Sequence, residues 1–142
     1  MVERSRPDIS ERLAGLALFA DLKQPQLESI AHRFDEQVFA AGERILRTGL
    51  SGAGLYVIVE GEAVIRIDGV ERARFGPGEV FGEIGVLTGE PPNADVEAAT
   101  FLRCIEIPGA DVEPFLVDFP RVMYRMLQAE ARRLRITTEW KT

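Results

Sequence analysis

The sequence has few of the residues that most often carry catalysis, metal binding or covalent cross-links. Its 142 residues include one histidine, His32, and one cysteine, Cys104. A lone cysteine forms no intrachain disulfide, which suits a reducing compartment, and a lone histidine excludes the His-rich metal sites of many enzymes. We therefore expect no metal, no catalytic residue and no enzymatic activity, and we interpret both side chains as structural.

Positive charge and long apolar runs are also scarce. The chain has 17 lysine and arginine residues against 23 aspartate and glutamate residues, a net charge of −6, which disfavours nucleic-acid binding. No apolar run approaches the ~18 residues that span a membrane, and the N-terminus has no apolar signal core. We expect neither nucleic acid nor membrane as a partner, and a cytoplasmic location. The 46% hydrophobic and 28% charged residues predict a single folded domain over residues 1–142.

Hydrophobic spacing divides the chain into three zones. Apolar residues recur every three or four positions over 9–35, which predicts N-terminal helices. Short Val-, Ile- and Phe-rich runs separated by glycines occupy 37–108, and Asp68-Gly69 is a strong hairpin signal. This pattern predicts an antiparallel sandwich or barrel. An amphipathic helix is predicted over 119–137.

The most informative segment is 81–96. A single helical turn after the glycine at 82 would leave backbone N–H groups free for an anion, and Glu83 could accept a hydrogen bond from a ligand hydroxyl. Taken alone, tight turns and a solvated acid explain the same residues. The candidate ligand-binding residues are Phe81, Gly82, Glu83, Ile84, Gly85, Val86, Pro92, Asn93, Ala94 and Asp95.

This segment resembles the phosphate-binding cassette of the cyclic nucleotide-binding domain family. The family pattern is Phe-Gly-Glu-Ile/Leu-Ala/Gly-Leu/Val-Leu, followed by Pro-Arg-x-Ala-Thr/Ser-Val, and residues 81–87 match its first half. The resemblance extends from about Leu18 to about Leu134. It implies a mainly β fold, an eight-stranded antiparallel jelly-roll barrel (double-stranded β-helix) with N-terminal helices and a C-terminal amphipathic helix. It also implies a regulatory, signalling function for the domain.

Two departures from the family pattern affect the expected ligand. Pro92 stands where the family has its phosphate-binding arginine, and Asp95 stands where a Ser or Thr is usual. The resemblance assigns Glu83 to a ribose 2′-hydroxyl, but Pro92 offers neither a side-chain donor nor an N–H. We expect weak or lost binding of cAMP and cGMP and no other cofactor. Three basic residues could replace the missing arginine: Arg103, Arg132 and Arg133. The alternative is a protein-interaction or scaffold module that binds no small molecule.

The C-terminal helix carries a second prediction. Four residues spaced by four, three and four positions resemble the a and d seam along which dimers of this family associate: Met123, Leu127, Glu130 and Leu134. The same stripe could instead pack on its own domain. Glu130 at an a-like position weakens a parallel dimer seam unless an arginine, such as Arg133 from the partner, neutralises it. Since the chain ends soon after this helix, we expect a stand-alone module that acts through a homodimer or a protein partner.

Overall fold

Within the described residues, eight strands form two antiparallel sheets of four. The computed structural model describes residues 6–49 and 54–140, and side chains within 9–49 and 54–137. One sheet has the order β1-β8-β3-β6 and the other β2-β7-β4-β5. The strands are β1 Asp35–Phe39, β2 Arg44–Leu46, β3 Gly54–Glu60, β4 Ala63–Ile67, β5 Val70–Phe75, β6 Val80–Phe81, β7 Asp95–Ala98 and β8 Leu102–Pro108. The mainly β prediction is confirmed. The closed barrel is not, since no strand pairing joins the two sheets within the described residues.

The part of the chain that the structure describes also has five α-helices, which flank the sheets. They are α1 Arg6–Ala14, α2 Gln24–Arg33, α3 Glu83–Thr88, α4 Gly109–Asp118 and α5 Pro120–Trp140, with a 3-10 turn at Ala17–Phe19. Pro25 lies in the first turn of α2, where a missing N–H costs nothing. The sequence reading missed α4, because Pro114 lies inside it. Among the described residues, no helix is both long enough and apolar enough to span a bilayer.

The β4–β5 hairpin turns at Asp68 and Gly69. Their φ angles are 53° and 77°, so both central residues adopt the left-handed conformation of a type I′ turn. Ile67 pairs with Val70 across the turn. The predicted hairpin is therefore present, and it places β5 at the edge of its sheet.

Two apolar clusters hold the helices and sheets together. The larger packs the helices on the first sheet around Phe19, Phe34 and Phe115, with the Phe34 and Phe115 rings edge to face at 5.2 Å. The smaller contains Phe81 and the buried thiol of Cys104. Burial raises the pKa of this thiol to about 12, which agrees with its interpretation as a structural residue.

Helix α5 is held at its N-terminal end. Val122 and Met126 are buried in the larger cluster. Arg125 donates two hydrogen bonds to Asp21, from Nε at 2.6 Å and from Nη2 at 3.0 Å, and Arg121 Nε donates a third at 3.3 Å. The hydrogen bond from Arg125 is the main reason that the pKa of Asp21 falls to about 2. These contacts fix where α5 leaves the domain.

Candidate functional site

Gly82 sets the position of the cassette helix α3. Its φ is 85°, and a Cβ on this residue would lie 2.4 Å from the carbonyl oxygen of Gly54 in β3. Only glycine accepts both the left-handed backbone and this close approach at low cost. The turn follows β6 directly and makes Glu83 the first residue of α3. The predicted helical turn after Phe81 is therefore present.

Glu83 is buried and ion-paired with helix α5. Its side chain is 7% exposed, and Arg133 Nη1 donates to Glu83 Oε2 at 2.7 Å. The same nitrogen donates to Glu130 Oε1 at 3.1 Å. The guanidinium carbon lies 3.9 Å from the centre of the Phe75 ring, a cation–π contact. The acceptor that the resemblance assigns to a ribose hydroxyl is thus bonded to a side chain of the same chain.

Glu130 is the second acid of this cluster. Burial raises its pKa to about 8, aided by hydrogen bonding to Glu83 and by the negative charge there, while Arg133 acts in the opposite direction. Glu130 therefore holds its proton to a higher pH than an exposed glutamate does. This explains an acidic residue beside the apolar stripe of α5: it faces Glu83 and Arg133 rather than an open seam.

The second half of the cassette is tied to the loop that follows β2. The Gly49 N–H donates to the Pro92 carbonyl at 3.0 Å. Asp95 Oδ1 accepts from the Thr48 N–H at 2.7 Å and from Thr48 Oγ1 at 3.1 Å. The backbone hydrogen bond from Thr48 is the main cause of a pKa for Asp95 below its ordinary value. Asp95 therefore stays anionic, and residues 88–96 contain no lysine or arginine.

The other predicted ligand-binding residues differ in their surroundings. Phe81 is buried and stacks on Tyr56, with ring centres 4.9 Å apart and planes 6° from parallel. Ile84 and Asn93 are exposed, whereas Gly85, Val86, Pro92 and Ala94 are partly buried. Phe81 thus supports the cassette from the core side, and its aromatic ring is engaged by a neighbouring strand.

The three basic residues considered as replacements for the family arginine have different partners. Arg103 donates to Glu36 at 2.7 Å and to Glu60 at 3.2 Å, whereas Arg132 is exposed. Only Arg133, among these three, bonds to Glu83. The contacts of Phe75 and Glu130 with Arg133 were not predicted from the sequence. The one signal for them was an acidic residue, Glu130, beside the apolar stripe of α5.

The predicted seam of α5 is divided in the structure. Met123, Leu127 and Leu134 are 43%, 63% and 67% exposed, while Glu130 is half-buried in the cassette cluster. The opposite face packs on its own domain through Val122. The exposed residues leave room for a partner, and dimerisation itself stays a prediction.

Taken together, a two-sheet β domain, a glycine-led cassette with a buried acid and a long C-terminal helix are the parts that the resemblance to cyclic nucleotide-binding domains implies. Comparison with known proteins gives the family: residues 36–118 match the cyclic nucleotide-binding domain. The chain belongs to this family. It is 32% identical to the solved N-terminal domain of a transcriptional regulator from Streptomyces coelicolor A3(2), with a TM-score of 0.63, covering 93% of this chain and 94% of that one.

Two curated relatives are much longer than this chain. It is 29% identical over 119 residues to a cGMP-dependent protein kinase of Toxoplasma gondii, covering 84% of this chain and 12% of the kinase. It is 25% identical over 134 residues to a CRP-like cAMP-activated global transcriptional regulator of Mycobacterium tuberculosis, covering 91% of this chain and 60% of the regulator. The chain therefore spans only a part of these relatives.

Proposed function

We propose that this domain is a regulatory module whose affinity for cAMP and cGMP is weak or lost. The observation that carries the proposal is the chemistry of residues 88–96: no basic side chain, a proline at 92 and an anionic Asp95 held by Thr48. A cyclic phosphate entering this segment meets a proline where the family pattern has an arginine, and a negative charge where the pattern has a Ser or Thr. The proposal includes no catalytic step, and the single buried thiol of Cys104 supports a reducing, cytoplasmic location.

The size of the loss follows from the missing donor. A hydrogen bond to a charged group contributes ~1.5–3 kcal/mol, which corresponds to roughly 10- to 150-fold in affinity. The charge of Asp95 adds repulsion to this figure. Glu83, the acid that the resemblance assigns to a ribose hydroxyl, is already bonded to Arg133.

Isothermal titration of the chain with cAMP and cGMP tests the proposal. We expect no heat, or only weak binding at millimolar ligand, and a gain of roughly 10- to 150-fold in Pro92→Arg. Pro91→Arg is the matched control, since it adds the same charge one residue away. Micromolar binding by the unmodified chain that disappears in Glu83→Ala would refute the proposed loss of affinity.

The exposed stripe of α5 favours a second function, protein association. We propose that Met123, Leu127 and Leu134 form a contact surface for a second copy of the chain or for a protein partner, because large apolar side chains at helical spacing are poorly accommodated in water. Sedimentation over a concentration series tests the homodimer. Leu127→Arg is expected to shift the protein to monomer, whereas Val117→Arg, at an exposed position of α4, leaves it unchanged. A monomer at every concentration would contradict the homodimer.

A further inference from the structure

The solvent-facing side of helix α5 combines a row of apolar residues with positive charge. We infer that this side of α5 binds an acidic amphipathic helix of a partner protein. This assignment rests on the proposed contact surface of α5 and goes beyond it by naming the chemistry of the partner. It is independent of whether the cassette holds a nucleotide.

The apolar row has the spacing that two helices use to pack along their lengths. Its members are separated by three, four and three positions, and all of them are exposed: Tyr124, Leu127, Ala131 and Leu134. This spacing is the heptad period, so one face of a partner helix can follow the whole row. The row differs from the predicted seam, because Met123 lies at its edge and Glu130 faces the cassette. Leu134 and Arg135 also interact within the chain, and a partner helix would meet their exposed surface.

Arginines border the apolar row on one side. Arg121 and Arg132 are exposed, and the guanidinium carbon of Arg121 lies 5.3 Å from the centre of the Tyr124 ring. Asp21 is shared by Arg121 and Arg125, so one positive charge of this group stays unbalanced. Among the described residues Arg132 has no acidic partner and adds a second positive charge.

The sign of this charge selects the partner. Residues 120–137 contain five arginines and one acidic residue, Glu130. A second copy packed along the same row would bring its own arginines beside these, and like charges across an interface weaken it. A helix with acidic residues beside its apolar row would be attracted instead. An anionic membrane surface would be attracted as well, but a membrane does not require the heptad period that the row has.

Two synthetic peptides of about three heptads test the sign of the charge. Both have leucine at a and d; one has glutamate and the other lysine at e and g, so like charges keep each peptide from pairing with itself. Each labelled peptide is titrated with the full chain and followed by fluorescence anisotropy. We expect the glutamate peptide to bind at least about 10-fold more tightly, and its affinity to fall as salt is added. Equal affinities, or no binding of the glutamate peptide at submillimolar concentration, would overturn the inference.

Substitutions in the chain locate the binding on α5. Leu127→Gln interrupts the apolar row, and only binding that it removes is compared between the peptides. Arg132→Glu should weaken the glutamate peptide about 3- to 10-fold. Arg72→Glu is the matched control, because it makes the same change of charge at an exposed position of β5. Equal effects of Arg132→Glu and Arg72→Glu would contradict a role for the arginines of α5, and circular dichroism verifies that each variant is folded.

Sedimentation separates this inference from the proposed contact surface. Self-association that depends on Leu127, without binding of the glutamate peptide, would support the contact surface and overturn the acidic partner. Binding to vesicles of phosphatidylserine and phosphatidylcholine in place of the glutamate peptide would overturn it in favour of a membrane surface.

Discussion

Substitution of Gly82 by alanine tests how the cassette is built. Gly82 has a φ of 85°, and a Cβ there would lie 2.4 Å from the Gly54 carbonyl oxygen. A left-handed backbone costs a residue with a Cβ roughly 1–2 kcal/mol, and forcing a methyl group into filled space typically costs about 1–3 kcal/mol more. We expect Gly82→Ala to lose about 2–5 kcal/mol of unfolding free energy, out of a total of about 5–15 kcal/mol.

Gly89→Ala separates the two contributions. Gly89 ends α3 with a φ of 75°, and an added Cβ would meet nothing within 4 Å. Alanine at this position carries the cost of the left-handed backbone but no steric clash, so we expect Gly89→Ala to lose about 1–2 kcal/mol of unfolding free energy. The difference between the two variants therefore measures how closely the cassette approaches β3.

Urea unfolding followed by circular dichroism gives both free energies on the same scale. The two variants share the glycine-to-alanine change and the same small helix, so most effects on the unfolded chain cancel. Equal losses in Gly82→Ala and Gly89→Ala would refute the reasoning, because the close contact between Gly82 and Gly54 would then carry no energy.

Three further predictions concern the titrating and buried groups. Burial raises the pKa of Glu130 from 4.5 to about 8, so the stability that its proton contributes is complete below about pH 4.5 and is lost as pH rises through about 8. The unfolding free energy should therefore fall over this pH range relative to that of Glu130→Gln, and parallel pH curves for the two proteins would contradict the prediction. Arg103→Met removes the cation that lies 2.7 Å from half-buried Glu36, so we expect it to lower the unfolding free energy in urea by ~3–5 kcal/mol. Arg74 is exposed, so we expect Arg74→Met to lower the same free energy by only ~0–1 kcal/mol. The Cys104 thiol, with its pKa near 12, should react with a thiol reagent at neutral pH only after unfolding; fast labelling of the native protein would contradict this.

Features with a local signal were predictable from the sequence. Asp68 and Gly69 must both adopt positive φ, and few residue pairs do so easily. Pro25 fits the first turn of a helix, and the glycine before Glu83 fits a strand-to-helix turn. In each case the physical requirement falls on one or two adjacent residues, so a single sequence displays it.

Other features depend on tertiary packing and were missed. Helix α4 contains Pro114, which argues against a helix, yet burial of Val112, Phe115 and Leu116 favours it strongly enough to offset this cost. The pairing of Arg133 with Glu83 joins residues 50 positions apart. No spacing rule relates them, because their contact is set by where α5 leaves the domain.

The presence of Glu83 is therefore weaker support for nucleotide binding than it first looks. A buried carboxylate needs a partner whether or not a ligand is present, and Arg133 supplies one within the chain. With Arg133 balancing Glu83, the remaining formal charges of residues 81–96 are those of Glu90 and Asp95. A cyclic phosphate in this segment would face these two carboxylates and no lysine or arginine in 88–96. Charge thus disfavours a cyclic phosphate even though the acid of the family pattern is kept, which is why we expect Pro92→Arg to improve binding.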